Sequence, residues 1–387
     1  MRASSTSSRV PPKFRRRSSR GGCSTARPNA RPDWPAGRPV AFSAPDGGAM
    51  TQDSPVLVTG ASGFLAKHIV LALLREGYPV RASLRDPARA AEVRQAVLPH
   101  LPAGAERGLS FATLDLTRDE GWSEAMAGAA ALIHTASPFP IAQPKDAEEV
   151  IRPAVDGTRR ALRAAAAAGV GRVILTSSTT AIIGRRRDGR VHTEADWSDA
   201  EDPPENPYTR SKVMAERAAW EIAGNEGLAL TAINPAFILG PPLDSHFGAS
   251  IGLVRRVLRG RDPMLPRLGF PVVDVRDAAL AHLRALARPE TAGERFIAAA
   301  GALWMTDWGR ILKQRWPDRR MPTRAAPKPL LRLLALFDGE VRAALPGVGH
   351  REAVSAAKAQ DLLGIDFITP DRALLAAAEV LVARGLA

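Results

Sequence analysis

Pro55-Val56-Leu57-Val58-Thr59-Gly60-Ala61-Ser62-Gly63-Phe64-Leu65-Ala66 is the stretch whose reading decides the fold. Its first five residues form a short apolar, β-branched run that ends at a glycine, which reads as a buried strand. Phe64, Leu65, Ile69, Leu71, Leu73 and Leu74 then follow helical spacing as far as Gly77, which reads as the C-cap. Between strand and helix, Gly60 permits a tight turn and Gly63 lets the backbone approach a pyrophosphate. The helix N-terminus adds N–H groups and the positive end of its dipole. A glycine-rich turn means little alone, but between a strand and a helix it reads as a dinucleotide-binding turn. Ser62, Phe64 and Leu65 are the further cofactor-contact candidates within it.

Outward from this turn the rhythm repeats. Tyr78 to Leu84 reads as a second strand, which completes one right-handed βαβ unit. Strands follow at Leu109–Leu114, Ala131–His134, Arg172–Thr176 and Leu230–Ile233, with helices at Ala147–Ala168 and Pro207–Glu226 ended by Gly169 and Gly227. The alternation implies an α/β fold, a doubly wound parallel sheet of the Rossmann type with helices on both faces. After Pro235 the rhythm weakens. One helix (Ser250 to Arg259) stands among loops, and residues 270–287 read as a strand and helix that return to the sheet. The last hundred residues read as helical patches broken by proline. The expected organisation is a basic tail over 1–50, a Rossmann domain over 51–240 with the return segment, and a smaller, mostly helical substrate-binding lid over 241–387.

The net charge of +13 suggests a nucleic-acid binder, but it is uneven. Residues 1–49 hold ten bases and two acids, and the other 338 residues carry only +5. Nucleic-acid binding is therefore not expected as the function. The tail is rich in Arg, Ser, Pro and Gly and cannot bury enough apolar surface to order itself. Its composition fits a transit peptide or an upstream extension of a chain whose translation starts at Met50; the GC-rich coding bias favours the second. The lone cysteine, Cys23, lies in this tail, so no disulfide and no cysteine metal site is expected beyond it. No apolar run reaches membrane-spanning length. Together these features point to a cytoplasmic protein with no membrane partner.

Three further places carry chemistry. NAD-selective sites put an acid at the end of the second strand to bind the ribose 2′-hydroxyl. Here the run is Ala82-Ser83-Leu84-Arg85, and the Arg85 fork suits a 2′-phosphate. Tyr208-Thr209-Arg210-Ser211-Lys212 puts Tyr208 and Lys212 one turn apart on a helix face. A nearby ammonium stabilises phenolate, and this is expected to lower a phenol pKa from its usual ~10 toward neutrality for proton transfer. Thr176-Ser177-Ser178-Thr179 follows a buried strand, where hydroxyls face the crevice in which open α/β sheets bind ligands. Ser178 is the candidate to hydrogen-bond the substrate oxygen.

These residues together resemble the extended short-chain dehydrogenase/reductase superfamily, in its dihydroflavonol reductase and aldehyde/ketone reductase branch. Asp115-Leu116, His134-Thr135-Ala136-Ser137-Pro138, Asn234-Pro235, Gly240-Pro241 and Val273-Asp274-Val275-Arg276-Asp277 match in order and spacing, and the likeness covers about residues 54–290. The resemblance implies NADPH as cofactor and a small carbonyl compound as substrate. It implies Tyr208 as general acid, Lys212 on the nicotinamide ribose, and Ser178 polarising the carbonyl. Asp115 and Leu116 would lie along the adenine, Thr135, Ala136 and Ser137 beside the ribose, and Pro235 near the nicotinamide. Relatives of this kind are monomers or homodimers. Two departures stand out. Ala66 replaces a common third glycine, and Asn206-Pro207-Tyr208-Thr209 lacks the plant cinnamoyl-CoA reductase signature, which argues against that substrate.

Other residues read as structural. His134 and His282 are expected to be packed in the core. Trp304, Trp308 and Trp316 have near-helical spacing and suggest lid packing, and Pro138 and Phe139 suggest an apolar pocket mouth. The seven histidines show no i, i+4 pair, so no catalytic metal is expected. The competing functions are an NAD-dependent nucleotide-sugar epimerase or 3β-hydroxysteroid dehydrogenase/isomerase, disfavoured by Arg85, and a non-catalytic NADP-sensing protein, disfavoured by the Tyr208–Lys212 pair.

Overall fold

The structure, a computed structural model, describes residues 54–137, 146–183, 189–199 and 207–387. The expected tail over 1–50 and the pocket residues Pro138 and Phe139 lie outside the described residues. The chain runs β1 (Val56–Thr59), α1 (Phe64–Arg75), β2 (Val80–Leu84), α2 (Ala90–Val97), β3 (Leu109–Thr113), α3 (Trp122–Met126), β4 (Ala131–His134), α4 (Glu148–Ala167), β5 (Arg172–Thr176) and α5 (Thr180–Ile183). It continues through β6 (Val191–His192), α6 (Pro207–Glu226), β7 (Ala229–Pro235), β8 (Phe237–Leu239), α7 (Ala249–Leu258), β9 (Gly269–Asp274), α8 (Val275–Leu286), β10 (Arg295–Ala298) and β11 (Gly301–Trp304). The last elements are α9 (Met305–Arg315), α10 (Lys328–Leu334), α11 (Gly339–Ala344), β12 (Ala353–Val354), α12 (Ala357–Leu363) and α13 (Pro370–Ala383).

Seven strands form one sheet in the order β3-β2-β1-β4-β5-β7-β10, every pair parallel. Order reverses between β1 and β4, which is where open α/β sheets bind ligands. The central strands β1 and β4 are fully buried because both faces of the sheet are covered there. Successive side chains point to opposite faces. Val56 and Val58 pack with Ile69 and Leu73 of α1 and Leu283 of α8. Leu57, between them, packs on the other face with Leu162 of α4 and Ile222 of α6. The sequence expectation of a doubly wound sheet is met.

The region after Pro235 differs in detail from its sequence reading. Residues 295–304, expected to be helical, form β10 and β11. Phe296 and Ile297 are buried in the main core, which a seventh parallel strand explains. β11 pairs antiparallel with β9, which lies beside β8, and this three-stranded sheet packs on Val254, Trp308, Leu312 and Leu374. Trp308 is in this core, but Trp304 ends a strand, so the three tryptophans do not share a helix face. No described helix is long and apolar enough to cross a membrane.

Candidate active site

The β1–α1 turn is built by backbone. Gly60 sits at φ +68°, a left-handed conformation that favours glycine, and a Cβ there would stand 3.0 Å from Ala136 Cα. Ala61 N donates to Ser83 O at 2.9 Å, and Gly60 N to Ser83 Oγ at 3.3 Å, which ties the turn to β2. Gly63 is the N-cap of α1, with no side-chain cap and no acid in the first turn. The dipole end is thus bare of protein anions, and the donor-rich start of α1 fits a pyrophosphate. Ser62 and Phe64 are half-buried and Leu65 is buried.

β4 faces this turn across the switch. The Thr59 hydroxyl pairs with His134 Nδ1 at 2.9 Å and accepts the N–H groups of Thr135 and Ala136, each at 3.1 Å. Thr135 Oγ1 donates back to Thr59 O. Thr135, Ala136 and Ser137 are therefore pinned against Gly60. His134 and His282 are core residues, and burial holds their pKa values at about 3 and about 4, so both rings are neutral.

Arg85 stands exposed just past β2, and its charge helps hold the Asp115 carboxyl below its usual range. The larger cause is Thr117, whose N–H and hydroxyl donate to Asp115 Oδ1 at 2.8 and 2.7 Å. Asp86 caps the short 3-10 turn at Pro87–Arg89 through Ala88 N at 3.0 Å. Leu116 packs on Gly157 of α4, where a Cβ would stand 2.8 Å from Leu116 Cβ.

The third group comes from α6, β5 and β7. Tyr208 and Lys212 lie one turn apart, with Lys212 Nζ 5.9 Å from the centroid of the phenol ring. The Ser178 hydroxyl is hydrogen-bonded to the Tyr208 phenol. Pro235 ends β7, and its carbonyl accepts Thr179 N at 3.0 Å, which fixes the loop after Ser178. One expectation is overturned. The phenol pKa is not lowered; burial pushes it up to about 12, only partly offset by the Ser178 bond. Burial likewise brings Lys212 down to about 8, against the pull of Glu216. Desolvation is the larger influence on both groups.

Sequence reasoning missed four groups. Glu216, one turn beyond Lys212, is buried and ion-paired to Arg295 at 2.7 Å. Asn234 bridges Glu216 and Ser178. Lys67, inside α1, is buried and pairs with Glu92 at 2.6 Å and with Asp244, which ties α1 to the loop after β8. His68 hydrogen-bonds Pro241 O at 3.0 Å in the same seam. The signals were present: an acid continuing the Tyr208–Lys212 helix face, and a Lys-His pair in an apolar helix. Glu92, Asp244 and His246 could geometrically form a metal group, but the Lys67 ammonium already answers the two carboxylates.

Comparison with known proteins agrees with this geometry. Residues 56–299 match the NAD dependent epimerase/dehydratase family. Cinnamoyl-CoA reductase 1 of Arabidopsis thaliana is 37% identical over 273 residues, 70% of this chain and 77% of that protein. Dihydroflavonol 4-reductase of Hordeum vulgare is 32% identical over 279 residues, 70% of this chain and 78% of that protein. The crystal structure of a yeast methylglyoxal/isovaleraldehyde reductase complexed with NADPH superposes with a TM-score of 0.71 at 28% identity, covering 86% of this chain and 100% of that one. The chain belongs to the NAD-dependent epimerase/dehydratase family, the extended short-chain dehydrogenase/reductases, and is an NAD(P)-dependent oxidoreductase of that family.

Proposed function

We propose that this enzyme reduces an aldehyde or ketone to the alcohol, reversibly, with NADPH. The observation that carries the reading is the meeting of Tyr208, Lys212 and Ser178 on the β4–β5–β7 side of the switch, with the glycine turn on the other side. The residues fit the cofactor: the Gly60–Gly63 cradle would hold the pyrophosphate, Arg85 the 2′-phosphate, Asp115 and Leu116 the adenine, and Thr135 to Ser137 a ribose. When bound, NADPH supplies hydride to the carbonyl carbon. Tyr208, with its high pKa, holds its proton at neutral pH and donates it to the carbonyl oxygen. Ser178 donates a hydrogen bond to the same oxygen. Lys212 grips the nicotinamide ribose, and its ammonium supports the phenolate left after transfer. Pro235 borders the nicotinamide.

Relatives named as cinnamoyl-CoA, dihydroflavonol and isovaleraldehyde reductases all act on carbonyl carbon, which supports the reaction class. The missing cinnamoyl-CoA signature around Tyr208 still weighs against that substrate. The test is consumption of NADPH by the full chain with a panel of aldehydes, diketones and aryl ketones. Tyr208→Phe is expected to lower kcat by about 10²–10⁴-fold while NADPH binding persists. Undiminished turnover in that variant would remove Tyr208 from the mechanism. Cofactor binding without turnover of any carbonyl would favour the epimerase or sensor readings.

A further inference from the structure

Glu216 continues the face of α6 that carries Tyr208 and Lys212, and it is only 1% exposed. A carboxylate that far from water is stable only when it is paired and hydrogen-bonded. Its partners come from several elements. Oε2 accepts the Ser177 hydroxyl at 2.5 Å and Asn234 Nδ2 at 2.9 Å. Oε1 accepts Arg295 Nε at 2.7 Å and the Trp220 indole N–H at 3.3 Å. Asn234 Nδ2 also donates to the backbone oxygen of Ser178 at 3.1 Å. Arg295 is held in turn by the carbonyls of Glu194 and Asp196 at 2.8 and 2.7 Å, and it stacks on Trp197 at 3.8 Å. One carboxylate thus joins the helix bearing Tyr208 and Lys212 to the strand end bearing Ser178.

The location of this tie gives it an electrostatic effect as well. A small cavity beside Lys212 is lined by His134, Thr176, Ser177, Lys212 and Glu216. The titratable groups that face Lys212 are Tyr208 and Glu216 on α6 and His134 on β4, with Arg295 on β10 behind Glu216. His134 is neutral, so among these groups Glu216 supplies the negative charge that favours the ammonium.

We propose that Glu216 is a positioning residue of the catalytic centre: it sets the place of Ser178 through Ser177 and Asn234, and its charge keeps Lys212 an ammonium. The proposal rests on the functional reading above for the roles of Ser178 and Lys212.

The test uses the full chain as Glu216→Gln and as the double variant Glu216→Gln/Arg295→Gln. The single variant leaves a buried guanidinium unpaired, so its Tm should fall. The double variant removes both charges and should recover much of that loss. NADPH affinity, read by cofactor fluorescence, and kcat are then followed against pH. Removing a neighbouring negative charge lets Lys212 lose its proton earlier. The alkaline limb of both profiles should therefore move to lower pH by roughly one unit in the single variant, and in the same direction by less in the double variant, where the Arg295 cation is lost too. kcat should fall by roughly tenfold, a fraction of what a general acid contributes. A double variant with wild-type kcat and a wild-type limb would overturn the proposal and leave Glu216 a structural tie. A wild type that turns over no carbonyl would sink the functional reading, and the NADPH-binding limb would still decide the role of Glu216.

Discussion

The two sides of the switch between β1 and β4 hold their ligand-facing groups by different means. On the β1–β2–β3 side the work is done by backbone: Gly60 in a left-handed conformation, its N–H and that of Ala61 tied to Ser83, and a bare helix start at Gly63. On the β4–β5–β7 side it is done by buried side chains, with Glu216 bonded to Arg295 and Asn234, and His134 bonded across the switch to Thr59 of β1. The first side relies on a conformation and a clearance that glycine allows, and the second stores the cost of burying charge. The first should be sensitive to added atoms and the second to removed ones.

The largest expected effect on cofactor binding probes an exposed side chain on the backbone-built side. Arg85 is exposed, so Arg85→Ala should leave Tm nearly unchanged. A hydrogen bond to a charged group contributes about 1.5–3 kcal/mol, so the preference for NADPH over NADH should fall by roughly 10–100-fold. Cofactor titrations with both nucleotides would show it. An unchanged ratio would take the 2′-phosphate away from Arg85.

Next comes a pair of glycine substitutions in the turn itself. Gly60→Ala forces a Cβ into a left-handed residue at a cost of about 1–2 kcal/mol, and sets it 3.0 Å from Ala136 Cα. Its Tm should fall by several degrees in the absence of cofactor. Gly63→Ala has an ordinary φ of −74°, and its Cβ would meet Gly60 O at 3.2 Å, so its Tm should fall less than that of Gly60→Ala. Its new methyl would stand at the start of α1, where the pyrophosphate is proposed to bind, so NADPH affinity should fall instead. Differential scanning fluorimetry with and without NADPH separates the two. Equal Tm losses would erase the distinction between strain and ligand clearance.

The same contrast explains what could be read in the chain. Gly60 and Gly63 are visible because only glycine serves there, and the apolar run Val56–Thr59 is visible because a strand buried on both faces has no polar residue to spare. Tyr208 and Lys212 are visible because one helix turn fixes their spacing. The helix spacing shows Glu216 on the Tyr208–Lys212 face, but its partners Asn234 and Arg295 lie 18 and 79 residues away in sequence, and no local pattern announces those contacts. β10 and β11 read as helix because four residues show no period and, unlike the uninterrupted apolar runs of β1 and β4, Arg295–Ala298 and Gly301–Trp304 lie in a mixed, alanine-rich stretch. The spacing of Tyr208 and Lys212 shows the neighbouring ammonium but not the depth of burial that raises the phenol pKa.

A last prediction tests the charge side of the comparison away from the crevice. Asp277, in the first turn of α8, is fully buried like Glu216 but has no guanidinium bound to it among the described residues. Its Oδ2 accepts Ile368 N at 2.7 Å. Arg276 is taken instead by Asp274, at 2.8 Å. Burial first, then the charges of Asp274 and Asp366, push the Asp277 pKa from 3.8 up to about 7. The folded state therefore keeps this proton over a range in which the unfolded chain has lost it. Its contribution to stability is full below about 3.8 and is lost as pH rises through about 7. Asp277→Asn stays neutral at every pH and keeps an oxygen for Ile368 N. Thermal unfolding of wild type and variant across pH 4 to 8 should give a variant whose Tm falls less over that window, with the gain greatest at pH 8. Parallel Tm profiles would mean that Asp277 is charged in the fold after all, and that a buried carboxylate here does not need the kind of partner that Arg295 gives Glu216.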